Sequence, residues 1–279
     1  DKVLADWNGL MIAALAQASM ALAEPSWLDL AETAFLAVVR DMTIDGRLRH
    51  SYRAGQAKHS ALLDDYANLM RAAISLYEAT NKNTYLEAAE AWFDIVETHY
   101  QDTEHGGYYY SADDAEALIT RTRTAIDNAI PAGNGTMAFV LAKLYHLTGK
   151  DCYRASAAEV IKAFSAETRR NVLAVPTLLN GFDLLVNATQ VVIVGDPDAP
   201  AYTDLIGEVF RAPVTNLVFL RCATSVALPD GHPATGKAAL NNQPTVYVCV
   251  GTVCSAPITS GEMLRKTLSM SGLRTLSGR

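Results

Sequence analysis

The chain has 279 residues, half of them hydrophobic and 19% charged, with a formal net charge of −7. That length and apolar content suffice for a sizeable core, and the acidic balance argues against a nucleic-acid or anionic-membrane surface. No apolar run approaches the roughly 20 residues that cross a bilayer, and four cysteines are too sparse for a disulfide scaffold, so a cytoplasmic location is expected.

The sequence opens D-K-V-L-A-D-W, without an initiator Met or a charged-then-apolar leader. It reads as starting inside a longer protein, either after removal of a leader or as a fragment. One pattern then occurs three times: a helix rich in small residues, a short polar turn, an aromatic residue and a second helix. The aromatic anchors are Trp27 in P-S-W, Tyr85 in N-T-Y and Tyr153 in D-C-Y, 58 and 68 residues apart. Twenty residues before each anchor lies the start of the first helix, at Trp7, Asp65 and Gly133.

A linker, D-G-R-L-R-H-S-Y-R-A-G-Q-A-K from Asp45 to Lys58, follows the first unit. The second unit has the clearest periodicity. Leu62, Tyr66, Leu69, Ala73, Leu76 and Tyr77 recur at steps of three and four, predicting a helix from Leu62 to Thr80. Asp64 and Asp65 stand in its first turn, where the helix dipole favours negative charge. After N-K-N, the residues Tyr85, Leu86, Ala89, Trp92, Phe93 and Val96 form the stripe of a partner helix, closing an antiparallel hairpin. The next linker, Gln101 to Asp114, continues through R-T-R-T-A-I-D-N-A-I-P-A-G-N-G to Gly135.

Units of this length exceed TPR or HEAT repeats and suit an α/α toroid, in which one helix of each hairpin lines the inside; an irregular helical bundle is the alternative. Linkers this long within a compact domain are usually functional. Strand-like pieces at Leu48 to Tyr52 and Gly107 to Ser111 would cover one mouth of the ring. That mouth would gather Asp6, Asp64, Asp65 and Asn134 with His50, Tyr52, Arg53, Tyr108, Arg121, Arg123, Asp127 and Asn128.

Beyond residue 188 the composition changes. T-Q-V-V-I-V-G-D-P-D reads as a buried strand, A-P-A-Y-T-D-L-I-G-E-V-F as a helix, and N-L-V-F-L-R and P-T-V-Y-V-C-V as two further strands. T-S-G-E-M-L-R-K-T-L opens a last helix with a capping pattern. The predicted fold is therefore mostly α: an incomplete toroid of about three hairpins over residues 1–188, followed by a small α/β element over 189–279.

Several stretches together resemble the C-terminal part of the spermatogenesis-associated, thioredoxin-domain-containing proteins and their bacterial relatives. They are D-K-V-L-A-D-W-N-G-L-M-I-A-A-L-A, G-R-L-R-H-S-Y-R-A-G, L-L-D-D-Y-A-N-L, L-Y-E-A-T, H-G-G-Y-Y-Y-S-A-D-D, P-A-G-N-G and Y-V-C-V-G-T-V-C-S-A-P. The resemblance spans nearly the whole chain in order. It implies a thioredoxin-like N-terminal domain and an (α/α)6 toroid related to N-acylglucosamine 2-epimerases and six-hairpin glycosidases. This chain would lack that domain and the first hairpins, and it reads A-G-N-G where Ser is expected before Gly.

Glycosidic cleavage uses two carboxyl groups, one protonated and one ionised. Asp64 or Asp65 with Asp127 from the opposite loop forms one candidate set; sugar epimerisation instead needs a base, for which His50 and His105 are candidates. The bland readings are that Asp64 caps its helix, that Asp65 pairs with Arg53 or Arg71, and that His50 is an ordinary loop histidine. Trp7, Tyr52, Tyr66, Tyr108 and Tyr109 offer faces for a sugar ring, although Tyr66 also falls on the buried stripe. Trp27 and Trp92 read as core. Arg121 and Arg123 share a face of an extended segment and suit an anionic substrate, or simply a solvated edge. Arg53, Asn128 and Asn134 complete the substrate-binding candidates.

Two motifs are set aside. G-H-P-A-T-G-K-A, Gly231 to Ala238, resembles a phosphate loop but carries Ala238 where a hydroxyl belongs. Cys222, Cys249 and Cys254 lack the ligand count of a structural zinc site. They read as buried small side chains, with a redox pair serving the thioredoxin-like domain as the alternative. No cofactor or metal is expected. The leading function is a carbohydrate-active or carbohydrate-binding toroid, epimerase- or hydrolase-like, with a sugar-like ligand and no nucleic-acid or membrane partner. The rival is a non-catalytic scaffold supporting a redox domain.

Overall fold

The computed structural model describes residues 1–116, 119–222, 228, 232 and 234–276. The chain opens with a short strand, β1 (Val3–Leu4), that leads into the hairpin α1 (Ala5–Leu22) and α2 (Pro25–Met42). Three strands follow: β2 (Thr43–Ile44), β3 (Arg47–Arg53) and β4 (Gln56–Ser60). β3 pairs antiparallel with β1 and β2 on one edge and β4 on the other. Both turns, at Asp45-Gly46 and Ala54-Gly55, place two residues at positive φ, the geometry that joins twisted antiparallel strands tightly. The second hairpin is α3 (Leu63–Thr80) and α4 (Asn83–His99), the third α5 (Gly133–Thr148) and α6 (Asp151–Ala163). After the short α7 (Ser165–Arg170) comes α8 (Pro176–Asn187).

The helices α1, α3, α5 and α8 stand side by side in that order, and α2, α4 and α6 back their own partners on the outside. The row packs closely because a backbone meets a backbone: a Cβ on Gly9 of α1 would lie 2.6 Å from the Asn68 carbonyl carbon of α3. Neighbouring hairpins are clamped by a repeated contact. The Tyr85 hydroxyl and Lys82 Nζ both donate to Glu32 Oε1, at 2.6 and 2.5 Å. One hairpin later, the Tyr153 hydroxyl and Lys150 Nζ both donate to Glu90 Oε1, at 2.8 and 2.6 Å. Each of these tyrosines also meets a phenylalanine of the preceding hairpin edge-on, Phe35 with Tyr85 and Phe93 with Tyr153. Trp27 holds the same third-residue position in α2, but no described hairpin precedes it. It is 37% exposed rather than core as predicted, whereas Trp92 is buried.

The remaining chain forms a sheet in the order β6-β5-β7-β8. β5 (Thr189–Val194) runs parallel to β6 (Leu217–Cys222) across α9 (Pro200–Arg211), giving the anticipated βαβ unit. β7 (Thr245–Val250) is antiparallel to β5 and pairs with β8 (Val253–Cys254). α10 (Gly261–Leu276) is the last described element, with Ser260 Oγ accepting the Met263 N–H at its start. Alternation along the strands gives the sheet two apolar faces. Val192, Val194, Val218, Leu220 and Tyr247 join the core of the hairpins, while Val191, Ile193, Phe219, Val246 and Val248 pack beneath α9 and α10. β6 hangs on the lower end of α3: Glu78 Oε1 accepts the Phe219 N–H at 3.0 Å and Lys143 Nζ of α5 at 2.6 Å.

Two expectations are corrected here. Cys249 and Cys254, read as buried thiols, are opposite one another on β7 and β8 and are joined in a disulfide; Cys222 is a buried free thiol. Gly107 to Ser111 is no strand. Its backbone makes only isolated bridges, Tyr108 to Gln101 and Ser111 to Leu62, because Gly106 and Gly107 both sit at positive φ and turn the chain there. Gly231 and Pro233 of the phosphate-loop-like stretch lie outside the described residues.

Candidate functional site

The N-termini of the inner helices converge on one mouth. Asp65, at the third position of α3, is fully buried. Its Oδ2 accepts the Leu62 N–H at 2.7 Å and its Oδ1 the Asp6 N–H of α1 at 3.0 Å. His50 Nδ1, on β3, lies 3.0 Å from Oδ2. One carboxylate thus caps its own helix and ties α1 and β3 to it. The hydrogen bond to Asp65 raises the pKa of His50. Burial pushes the Asp65 carboxyl up, and His50 and the Leu62 N–H pull it back. The ligand-capable atoms of Asp6, His50 and Asp65 lie within 4.8 Å of one another, and each oxygen of Asp65 already accepts a backbone N–H.

Asp64, one residue earlier, turns the other way. It lines a cavity of about 290 Å3 with Leu63, Tyr110, Thr122, Thr124, Ile126, Asn128 and the start of α5. Burial, with the Asp65 charge beside it, raises its pKa to about 6, against the opposing pull of the Gly133 N–H. Glycine at 133 makes room for the carboxyl, since a Cβ would stand 2.4 Å from Asp64 Oδ1 and 2.9 Å from Leu63 Cγ. A second, apolar cavity of about 300 Å3 adjoins through Ile130 and carries Trp7, Leu10 and Met11 of α1; Trp7 is 61% exposed.

Of the predicted residues, Asp64, Asn128 and Asn134 line the first cavity and Trp7 the second. Asn134 is spent on structure, its amide holding Tyr108 N–H, Tyr108 C=O and Thr124 C=O. Asp127 does not oppose Asp64. Its oxygens accept the Ala132 and Thr177 N–H groups, both at 2.8 Å, clipping the loop to α8. Tyr66 and Tyr108 are core: the Tyr66 hydroxyl accepts the Leu48 N–H, and the Tyr108 hydroxyl donates to Glu97 Oε1. Arg121 donates to the Ser111 and His99 carbonyls and stacks on Tyr109. Arg123 donates to the Gly106 carbonyl and pairs with Asp102. Both arginines therefore staple the long linker rather than await an anion. Tyr52 is half-buried on β3 and Arg53 is exposed at its end; neither they nor His50 line the two cavities beside Asp64 and Trp7. His105, exposed beside Asp102, lines a separate cavity of about 590 Å3 with Glu104, Glu159 and Lys162.

The residues that sequence reasoning passed over are Tyr110, Thr122, Thr124 and Ile126. In R-T-R-T-A-I the arginines and threonines take opposite faces, so a period of two was the available signal. It could not say which face looks inward.

A row of helical hairpins whose inner N-termini form one acid-bearing mouth is the arrangement of an α/α toroid. Residues 5–174 match the model of glycosyl hydrolase family 76, and the chain belongs to that family. Spermatogenesis-associated protein 20 of Homo sapiens is 30% identical over 289 residues, covering 96% of this chain. The chain spans about a third, 36%, of that relative's length. The family 76 α-mannanase of Bacteroides thetaiotaomicron superposes with a TM-score of 0.56 at 15% identity, over 99% of this chain and 72% of that one. The family 76 α-1,6-mannanase of Salegentibacter sp. HEL1_6 gives 0.54 at 14% identity, over 97% and 76%. These similarities bear out the toroid of the predicted fold and the carbohydrate-related family, and they do not favour a scaffold.

Proposed function

We propose that this chain is a carbohydrate-active toroid that cleaves glycosidic bonds at the mouth, with Asp64 as the proton donor. The observation that carries this reading is the Asp64 carboxyl, which faces the cavity with a pKa raised to about 6. Such a group holds its proton up to about pH 6, well beyond an ordinary aspartate, and can deliver it to a departing sugar oxygen. Asp65 is the second carboxyl group by adjacency, held in place by its N–H donors and His50. Thr122, Thr124 and Asn128 offer hydroxyl and amide groups to a sugar, and Trp7 an aromatic face at the neighbouring cavity. Consistent with an adjacent pair, the Salegentibacter α-1,6-mannanase is described as inactive when two consecutive aspartates are replaced by asparagine, in complex with α-1,6-mannotriose.

The test is proton NMR of the purified chain in D2O with α-1,6-mannotriose and a panel of other disaccharides. New reducing-end signals that vanish in Asp64→Asn support the reading; equal cleavage by the variant, or none by the wild type across the panel, overturns it. One observation favours a second reading: the imidazole of His50 is oriented by a buried carboxylate, as a base for epimerisation would be. Deuterium entering at C2 of a free sugar, lost in His50→Gln, would identify that chemistry instead.

A further inference from the structure

Below the mouth, the inner helices enclose a third and larger cavity of about 580 Å3, whose wall includes Ala14, shared with the apolar cavity above. The lining is contributed by α1, α3, α5 and α8, with the segment from Phe210 to Leu217 beneath. Three ionisable side chains face it. Lys143 and Glu78 neutralise one another at 2.6 Å. Arg71 does not share in that pair. Among the described residues its guanidinium has no hydrogen bond and no ion pair, and its Nε is both shut away from solvent and unpartnered. Its one contact of note is with the Phe139 ring, 5.4 Å from the centroid. Burial pulls its pKa down from the ordinary value, yet an arginine stays charged at any pH the protein meets.

A cavity with a net charge of +1, into which an arginine with a buried and unpartnered Nε projects, favours an anion as its occupant. The planar fork of arginine matches an oxyanion in a bidentate geometry. The rest of the lining narrows the class. Gln17, Asn180 and Thr215 present amide and hydroxyl groups, and Phe139 and Phe210 present rings, a combination that suits a polyhydroxylated ring with one apolar face. Arg71 lies two turns along α3 from Asp64, which is ~10 Å at 1.5 Å per residue.

We infer that this axial cavity is a binding site for a sugar acid, with Arg71 holding the carboxylate and the amides and rings holding the sugar. The site does not depend on glycosidic chemistry at the mouth. It is tested by isothermal titration of the purified chain with D-glucuronate, D-glucose and inorganic phosphate. Wild type should bind glucuronate at least ~10-fold more tightly than glucose, the contribution of a buried charge-assisted pair. Arg71→Gln should erase that preference, while Asp64→Asn, at the mouth, should keep it. Equal binding of glucuronate and glucose by the wild type, or glucuronate binding undiminished in Arg71→Gln, overturns the inference. Phosphate binding as tight as glucuronate overturns the sugar part of it. Thermal melts guard against a folding artefact. With no hydrogen-bonded or ionic partner to lose and only the Phe139 ring contact given up, Arg71→Gln should melt within about 1–2 °C of the wild-type temperature in the absence of ligand, and a large drop would show that the guanidinium already has a strong partner and sink the site.

Discussion

Asp64 illustrates how a single group can be costly to the fold and useful to the site. Its pKa is about 6 in the folded chain, above the ordinary 3.8, so the folded state binds the proton more tightly than the unfolded one. The stability this brings is complete below about pH 3.8 and is lost as the pH rises through 6. Asp64→Asn should therefore melt higher than wild type at pH 7 to 8, with the difference vanishing below pH 4 in calorimetry. The same substitution should lower glycosidic turnover by ~10² to 10⁴, the usual worth of general acid catalysis. Wild-type kcat/KM should decline as pH rises past 6, because the acid must carry its proton. Gly133→Ala should displace the Asp64 carboxylate 2.4 Å away and cost about 1–3 kcal/mol of overpacking, read as a lower urea midpoint together with lost activity. At this scale the sequence was partly legible. Acids in the first turn of an amphipathic helix announced themselves, but not which of the two would point outward. Asp64 and Asp65 differ by about 100° around the helix axis, and only the positions of β3 and α5 decide which one is buried. The linker arginines misled for a related reason. Their long side chains and many donors suit backbone carbonyls as well as they suit a ligand.

At the scale of elements, the three hairpins were visible because their periodicity is long and their turns alike, and the aromatic anchors proved to sit at equivalent positions in α2, α4 and α6. What the anchors do was not visible, since it depends on a partner in the previous hairpin. The Tyr–Lys–Glu clamp requires Glu32 five residues after Trp27 and Glu90 five after Tyr85, a pairing across more than fifty residues of chain. Tyr153→Phe should cost about 1 kcal/mol, the net worth of one hydrogen bond, and Glu90→Gln combined with it should add less than the sum of the two single changes. Chemical denaturation of the four proteins of that cycle measures both. If the effects simply add, the tyrosine and the glutamate do not act as one contact. Strand prediction failed at Gly107 to Ser111, where an aromatic run met two glycines at positive φ; there the turn chemistry outweighed strand propensity.

For the molecule as a whole, the boundary near residue 188 marks a change of secondary structure, and across it a single core continues. One face of the β5–β6–β7 sheet is buried against the helices, and the lower ends of α3 and α5 carry the buried Glu78–Lys143 pair that β6 joins. Glu78→Gln leaves Lys143 charged without a counter-ion and should destabilise the chain by about 3–5 kcal/mol, with hydrogen exchange at β6 rising most. Exchange that rose only in the hairpins would contradict the idea that Glu78 anchors the sheet. None of this docking was legible in the sequence, because a glutamate near a helix end reads as a surface residue until its partners are known.

The bond from the Phe219 N–H to Glu78 spans 141 residues, whereas each hairpin closes on itself within a few tens. Local contacts form early and distant ones late. The hairpins should thus assemble one upon another as the chain emerges, each locking onto its predecessor. The sheet arrives only after α3 and α5 are in place, and a nascent chain stopped before β6 should hold a row of hairpins with no floor.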